Sequence, residues 1–360
     1  MKIRDRYIAK TLLSHTLIVL VVWISIYSFF NFLAELASVG KEGYTIFSAF
    51  TYIVLQLPEV AYKQASPIIL LGCILGMGHL ATTGQLLIFR VSGVSILKIT
   101  LLTLKNSLIF ILFFIFIGEF LAPISSSYAE NSRSTNMGNS SVSINQNGFW
   151  IRDGDNFINV KRNIDGTLFS VITVIEVNSL NKIERVIKSE NAIFDGGSLD
   201  MSGSEIFSIE DSGSFDKISL KERNSYVKKV SFDQDLIDSL EKEPEDLSTL
   251  TLIKQIRFLS DNKLRSSVFE VELYKRLIQP ITLIAMILLA MLFIFGSTRD
   301  VTLGRKIFFG VALGLSFEML SRVASAIALG LDFSPFLSSI LPSFMIMFIS
   351  IILLSKKSLS

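Results

Sequence analysis

Six stretches of this sequence are each long enough and apolar enough to cross a lipid bilayer, and nothing else in it limits the fold as much. Residues 11–34 carry no charged side chain, and neither do residues 64–89. A second span therefore begins near Pro67, and further spans follow at 99–121, 277–298, 307–329 and 333–355. A hydrocarbon core about 30 Å thick needs roughly 20 residues of helix to cross it. Helices satisfy their own backbone hydrogen bonds, which lipid cannot do for them. Residues 34–37 loosely resemble a signal-cleavage site, but the first apolar run is too long for a signal core and is expected to stay as a span.

Half of the residues are hydrophobic and 29 are Phe, more apolar surface than an ordinary soluble core hides. The charges are unevenly placed. Residues 124–271 hold 17 Lys+Arg against 23 Asp+Glu, while the rest of the chain holds 17 against 9. A polar, acidic block is thus set between two apolar, basic ones. Inside it, strand-like stretches recur at 148–151, 157–160, 168–177, 183–187, 206–209 and 226–232, separated by turn signals such as Asp153-Gly154-Asp155 and Asp195-Gly196-Gly197. That alternation predicts an antiparallel β domain, whether sandwich, jelly roll or open barrel.

Six spans return both termini to one side. The basic residues then sort together: Lys2 to Lys10, Arg90 and Lys98, Arg299 to Lys306, and Lys356-Lys357 all fall on the face that the positive-inside rule makes cytoplasmic. The β domain falls on the opposite face. The expected class is an α+β membrane protein with three helices, an inserted β domain and three more helices. Its parts are residues 1–123, 124–265 and 266–360.

Residues 84–98 turn the chain between the second and third spans. Three polar residues could have made that turn. Instead Leu86, Leu87, Phe89, the stem of Arg90 and Val94 fall near helical spacing, and Ser92-Gly93 permits a bend. This predicts a short amphipathic helix along the membrane surface, either resting on lipid or docking a partner. Gly72, Gly76 and Gly78 in the preceding span are spaced for close helix packing.

Several chemistries are excluded. No Gly-x-x-x-x-Gly-Lys-Ser/Thr phosphate loop occurs, so ATP-driven work needs a second chain. The two histidines, His15 and His79, form no His-Glu-x-x-His metal site, and no Gly-x-Ser-x-Gly nucleophile elbow is present. The lone Cys73 rules out an internal disulfide. The small, dispersed net charge of +2 gives no footprint for nucleic acid. Glu318 and Arg322 lie one turn apart within the fifth span, as a self-satisfied ion pair or as the wall of a wet cavity.

Particular residues also carry a resemblance. The start Asp5-Arg6-Tyr7-Ile8, the region around Leu80-Ala81 and Val91-Ser92-Gly93, and Gly118-Glu119 with Ala122-Pro123 resemble the LptF/LptG lipopolysaccharide export permease family. Gln279-Pro280 with Phe293-Ile294-Phe295-Gly296 adds to this, and Gly148-Phe149-Trp150 with Asp153 to Phe157 is closer to the LptG branch. The resemblance covers nearly the whole chain. It implies a permease subunit in the bacterial inner membrane, with cytoplasmic termini and a periplasmic β-jellyroll-like domain. The implied partners are an LptF-type permease, an LptB-type ATPase dimer that binds ATP and Mg, LptC/LptA-type β-jellyroll proteins, and lipopolysaccharide. No cofactor is implied in this chain.

In that picture Gln85, Leu86, Arg90, Ser92 and Gly93 belong to the helix that couples to the ATPase. Asn31, Glu35, Arg133, Glu318 and Arg322 are implied for the substrate cavity or gate, and Phe149 and Trp150 for the lipid path through the β domain. Two departures stand out: Gln85 replaces a common Glu, and Asn31 stands where many LptG proteins carry Lys. An LptF-type subunit, a permease for another lipid, and a membrane scaffold for the β domain without transport are the alternatives.

Overall fold

In the computed structural model, residues 3–41, 43–137, 149–163, 167–178, 182–211, 216–232, 236–237, 244–296, 303–331 and 333–359 are described. They form two compact units. Met1–Ala37, Ala49–Ala129 and Glu270–Ser360 make a helical unit, and Ser38–Ser48 with Glu130–Phe269 make the second.

The helical unit is built around α3 (Ala65–Thr82), with α1 (Ile3–Glu35) and α9 (Leu303–Gly330) packed against it. Of the span-length window in α3, 78% is buried, against 6% in α1 and 17% in α9. Missing side chains explain how three helices approach so closely. A Cβ at Gly72 would lie 2.5 Å from Thr16 Oγ1, and one at Gly76 would lie 3.4 Å from Leu12. On the other flank, a Cβ at Gly310 would lie 2.8 Å from Leu71 and one at Gly314 would lie 3.1 Å from Pro67. Small residues at such spacing are the usual means of close packing between membrane helices, where no hydrophobic force drives association.

The remaining helices are α2 (Ile46–Lys63), α4 (Gln85–Val91), α5 (Ile96–Phe116), α8 (Ser267–Gly296) and α10 (Pro335–Leu359). Among the described residues, six helices are long and apolar enough to cross a membrane. Ahead of the second span, α2 turns Phe47 and Phe50 outward and Ala49 and Ile53 inward. Between α8 and α10, Thr282 and Ser343 hydroxyls hydrogen-bond at 2.7 Å in a buried site. Asn106 of α5 donates to the backbone carbonyl of Asp5 in α1 at 3.3 Å.

Two boundaries differ from the sequence reading. The third span does not end near Pro123. A π turn at Ile117–Leu121 leads into α6 (Ala122–Asn136), so the expected domain start at 124 falls inside a continuous helical run. The turn supplies an i→i+5 bond from Ala122 N–H to Ile117 C=O, and Pro123 then opens a new helix, where its missing N–H is tolerated. The fourth span likewise starts ten residues early. Pro280, near the start of the expected span 277–298, lies inside α8, and the charged stretch before it is helical.

The second unit holds six antiparallel strands in sequential order: β1 (Phe149–Asp153), β2 (Asn156–Asn163), β3 (Leu168–Val177), β4 (Ile183–Asp195), β5 (Ser198–Asp211) and β6 (Asp216–Lys229). It is a meander, and no Greek-key crossover occurs among the described strands. The sheet rolls, because side chains late in β6 reach strands far from it in sheet order. Lys228 pairs with Glu176 of β3 and donates to Asn156 of β2, while Ser231 bonds Asp153 at the end of β1. Ile151, Ile158, Val160, Ile172, Val174 and Ile187 fill the inner face with Leu199 and Met201, and Phe194 stacks on Phe232.

A crease crosses this sheet. The ladders break, without changing register, along one row made by Lys161, Val171, Glu190, Gly203 and Asn224. Val171 and Gly203 on that row have φ of 55° and 62°. Ser189 Oγ donates to the carbonyls of Asn191 and Ser202, at 2.7 and 2.6 Å, beside the interrupted pairs. Such irregularities bend a sheet so that it can curl. The helix α7 (Thr249–Asp261), N-capped by Ser248, places Phe258 against the same core.

Candidate functional site

The turn between α3 and α5 is defined at both ends by backbone geometry. Gly84 starts it at φ 74° and Gly93 stops it at φ 81°, conformations that L side chains rarely adopt. At the stop, Gly93 N–H bonds the Arg90 carbonyl and Val94 N–H bonds the Phe89 carbonyl, both at 3.0 Å. This pair of bonds is the Schellman pattern of a helix end. Ser95 then caps α5 by accepting from Lys98 N–H at 3.3 Å. The expected stretch 84–98 thus divides into a seven-residue helix, a tight stop and the first turn of α5.

Its apolar residues divide too. Leu86 is buried in the helical core, with Phe89 and Val94 packed against it. Leu87, Ile88 and Val91 turn the other way, Ile88 being 66% and Val91 81% exposed. The sequence reading grouped Leu87 with Leu86, Phe89 and Val94 on one apolar face; the helix separates it from them and turns it out beside Ile88. Arg90, Ser92 and Gly93 are exposed, and the Ser92 hydroxyl bonds the Ile88 carbonyl at 2.8 Å. Gln85 Oε1 is buried with no hydrogen-bond partner among the described residues. The result is a rigid surface rung with an apolar outer face bordered by one arginine.

Contacts gather the basic positions at one end of the helical unit. His15 and His79 rings lie 5.3 Å apart between α1 and α3, and Lys306 of α9 bonds the Gly78 carbonyl just ahead of the rung. Lys357 of α10 lies against Gly296 at the end of α8.

The cavity candidates are distributed over several elements. Asn31 and Glu35 are half-buried one turn apart at the end of α1. Glu318 and Arg322 form an ion pair at 3.8 Å on α9, with the Arg322 side chain 75% exposed. Both pairs lie on the two least enclosed spans. Arg133 is half-buried on α6, in the second unit. In β1, Phe149 pairs with Val160 and Trp150 with Asn159. Trp150 is 59% exposed and alternates with the buried Ile151, so it lies on the outer face of the rolled sheet.

Sequence reasoning missed one polar cluster. The Arg276 side chain is 6% exposed and pairs with Glu272 at 3.4 Å. Tyr62 of α2 has Arg276, Glu119 and Glu272 as its charged neighbours, and its ring packs directly over Gly118 in the π turn. The signal was present as the i,i+4 spacing of Glu272 and Arg276, hidden because that segment reads as an approach to the membrane.

Comparison with known proteins decides the family. The family model "Lipopolysaccharide export system permease LptF/LptG" matches residues 6–356. The chain belongs to the LptF/LptG family. It is 26% identical over 357 residues to the lipopolysaccharide export system permease protein LptG of Escherichia coli (strain K12), covering 98% of both chains. It is 27% identical over 357 residues to the protein of the same name from Haemophilus influenzae (strain ATCC 51907), with the same coverage. The match runs through both units, so the β domain and the rung belong to the family pattern together with the spans. This LptF/LptG-family chain is a multi-pass membrane permease with a β domain inserted between its third and fourth spans.

Proposed function

We propose that the chain is the LptG-type permease subunit of an ATP-driven exporter that lifts lipopolysaccharide out of the bacterial inner membrane. The cargo then passes to periplasmic β-jellyroll partners. The observation that carries this reading is the full-length family match combined with the outward apolar face of α4. No phosphate loop exists in the sequence, so hydrolysis falls to a separate ATPase chain, and α4 is the rung that chain grips. An LptF-type permease pairs with the two least enclosed spans, α1 and α9.

In this mechanism ATP-driven closure moves α4, and α3 and α5 follow as a rigid unit. Asn31 and Glu35 on α1, Glu318 and Arg322 on α9, and Arg133 meet the sugar phosphates of the cargo. The edge strand β1, which carries Phe149 and Trp150, is where acyl chains enter the β domain. The charge distribution supports cytoplasmic termini and a periplasmic β domain.

The test is co-expression with the cognate ATPase and purification of the complex. Ile88→Glu and Val91→Glu should each release the ATPase while leaving the chain folded in the membrane. Photocrosslinkers at Asn31 and Arg133 should trap lipopolysaccharide. Retained ATPase binding in both variants would point instead to a scaffold without transport.

A further inference from the structure

At the end of the helical unit that gathers the basic residues, α8, α9 and α10 border an open cavity of about 480 Å³. Phe293 and Gly296 line it from α8, Arg305 and Phe309 from α9, and Leu353 and Lys357 from α10. The Phe293 and Phe309 rings lie 5.7 Å apart, inclined at 45°, and form an apolar wall. A Cβ at position 296 would lie 2.7 Å from Lys357 Nζ, so the glycine lets the ammonium lie flush with the end of α8.

We propose that this cavity binds an anionic membrane phospholipid. Its phosphate sits between the Arg305 guanidinium and the Lys357 ammonium, and an acyl chain runs along Phe293, Phe309 and Leu353. Basic pockets between membrane helices at the level of the headgroups are where anionic lipids are held. The lining selects a lipid over a free anion, because a phosphate ion alone would leave the two aromatic rings and the leucine facing empty or wet space. It selects an anionic lipid over a zwitterionic one, because a choline cation would add a third positive charge beside two already there.

The site is separate from the proposed export route. Arg305 precedes Glu318 by 13 residues on the same helix, roughly 20 Å along its axis. Phe293 and Gly296 also belong to a sequence signature that the export reading leaves without a task. The inference does not depend on what the chain transports.

The experiment uses the full chain purified in detergent and phosphatidylglycerol carrying a photoactivatable group in its acyl chain, with labelled peptides mapped by mass spectrometry. Labelling at peptides containing Phe293, Phe309 or Leu353 should exceed that from the matching phosphatidylcholine probe by roughly tenfold, as expected for two basic residues near a charged lipid surface. The double variant Arg305→Gln/Lys357→Gln should fall to the phosphatidylcholine level. Arg305→Lys/Lys357→Arg, which keeps both charges, should label as the parent chain does. Equal labelling by the two lipids, or full labelling of the Gln variant, would overturn the proposal. So would loss of labelling in both double variants, or its removal by millimolar inorganic phosphate.

Discussion

Lys306 of α9 donates its ammonium to the backbone carbonyl of Gly78 in α3, across 3.2 Å, and the Thr82 hydroxyl donates to the same oxygen at 3.1 Å. A helix carbonyl that already serves its own turn is thereby tied to a second span, six residues before the rung begins. The absence of a side chain at Gly78 makes room, since a Cβ there would lie 3.3 Å from the lysine stem.

Replacing that ammonium should weaken the tie between α3 and α9. Lys306→Met keeps the stem and removes the donor, at a cost of about 1 kcal/mol for one hydrogen bond to a half-exposed charged group. The midpoint of thermal unfolding in detergent should drop, with ATPase activity of the complex becoming less responsive to lipid. Unchanged values on both measures would show that the bond contributes nothing.

Arg276 should be far less tolerant. Its side chain is buried beside Glu272, with Glu119 close by, so Arg276→Ala leaves carboxylates in a poorly solvated site. Breaking a buried pair from one side costs about 3–5 kcal/mol. The double variant Arg276→Met/Glu272→Leu should recover much of the loss. Chemical denaturation of the parent chain, Arg276→Met, Glu272→Leu and the double variant gives the coupling directly, and additive effects would contradict the pairing.

Gly118 should resist even the smallest substitution. An added methyl would lie 2.3 Å from the Tyr62 ring, so Gly118→Ala forces either the ring or the π turn to move. The expected cost is about 1–3 kcal/mol, the usual range for overpacking. Combining it with Tyr62→Leu should relieve part of that cost, read as a partly restored unfolding midpoint. No relief would place the strain in the backbone instead.

Val171 offers a stabilising change. A β-branched residue at φ 55° pays a conformational penalty that glycine does not. Its side chain is partly exposed in the crease, so little packing is lost. Val171→Gly should therefore stabilise the β domain by about 0.5–1 kcal/mol, measured as slower hydrogen exchange of β3 amides in the intact protein. Faster exchange would mean that the valine packs more than it strains.

Much of this architecture can be read from the residues because its strongest signals are local. Charge-free runs mark spans, and alternation in 168–177 marks β3 to the residue. The signals fail where a rule is met in an unusual way. Pro123 looks like a terminator, but a π turn converts it into a beginning. β6 extends back to Asp216 although residues 216–225 are rich in charge, because its long ladder with β5 rather than apolar alternation holds it. Leu87 reads as one face with Leu86, Phe89 and Val94 until Gly93 is seen to end α4 after two turns. The Tyr62 cluster needs α2, the π turn and α8 together, and no single window of sequence contains all three. The crease is hidden for the same reason: its residues are dispersed along five strands and form a row only after pairing.

The most enclosed of the described spans runs into the rung through two residues, Thr83 and Gly84. A push on α4 is therefore received at the middle of the bundle rather than at its rim. Because α1 and α9 rest on either side of that centre, a small displacement there reaches both flanks at once, as an axle turns two wheels.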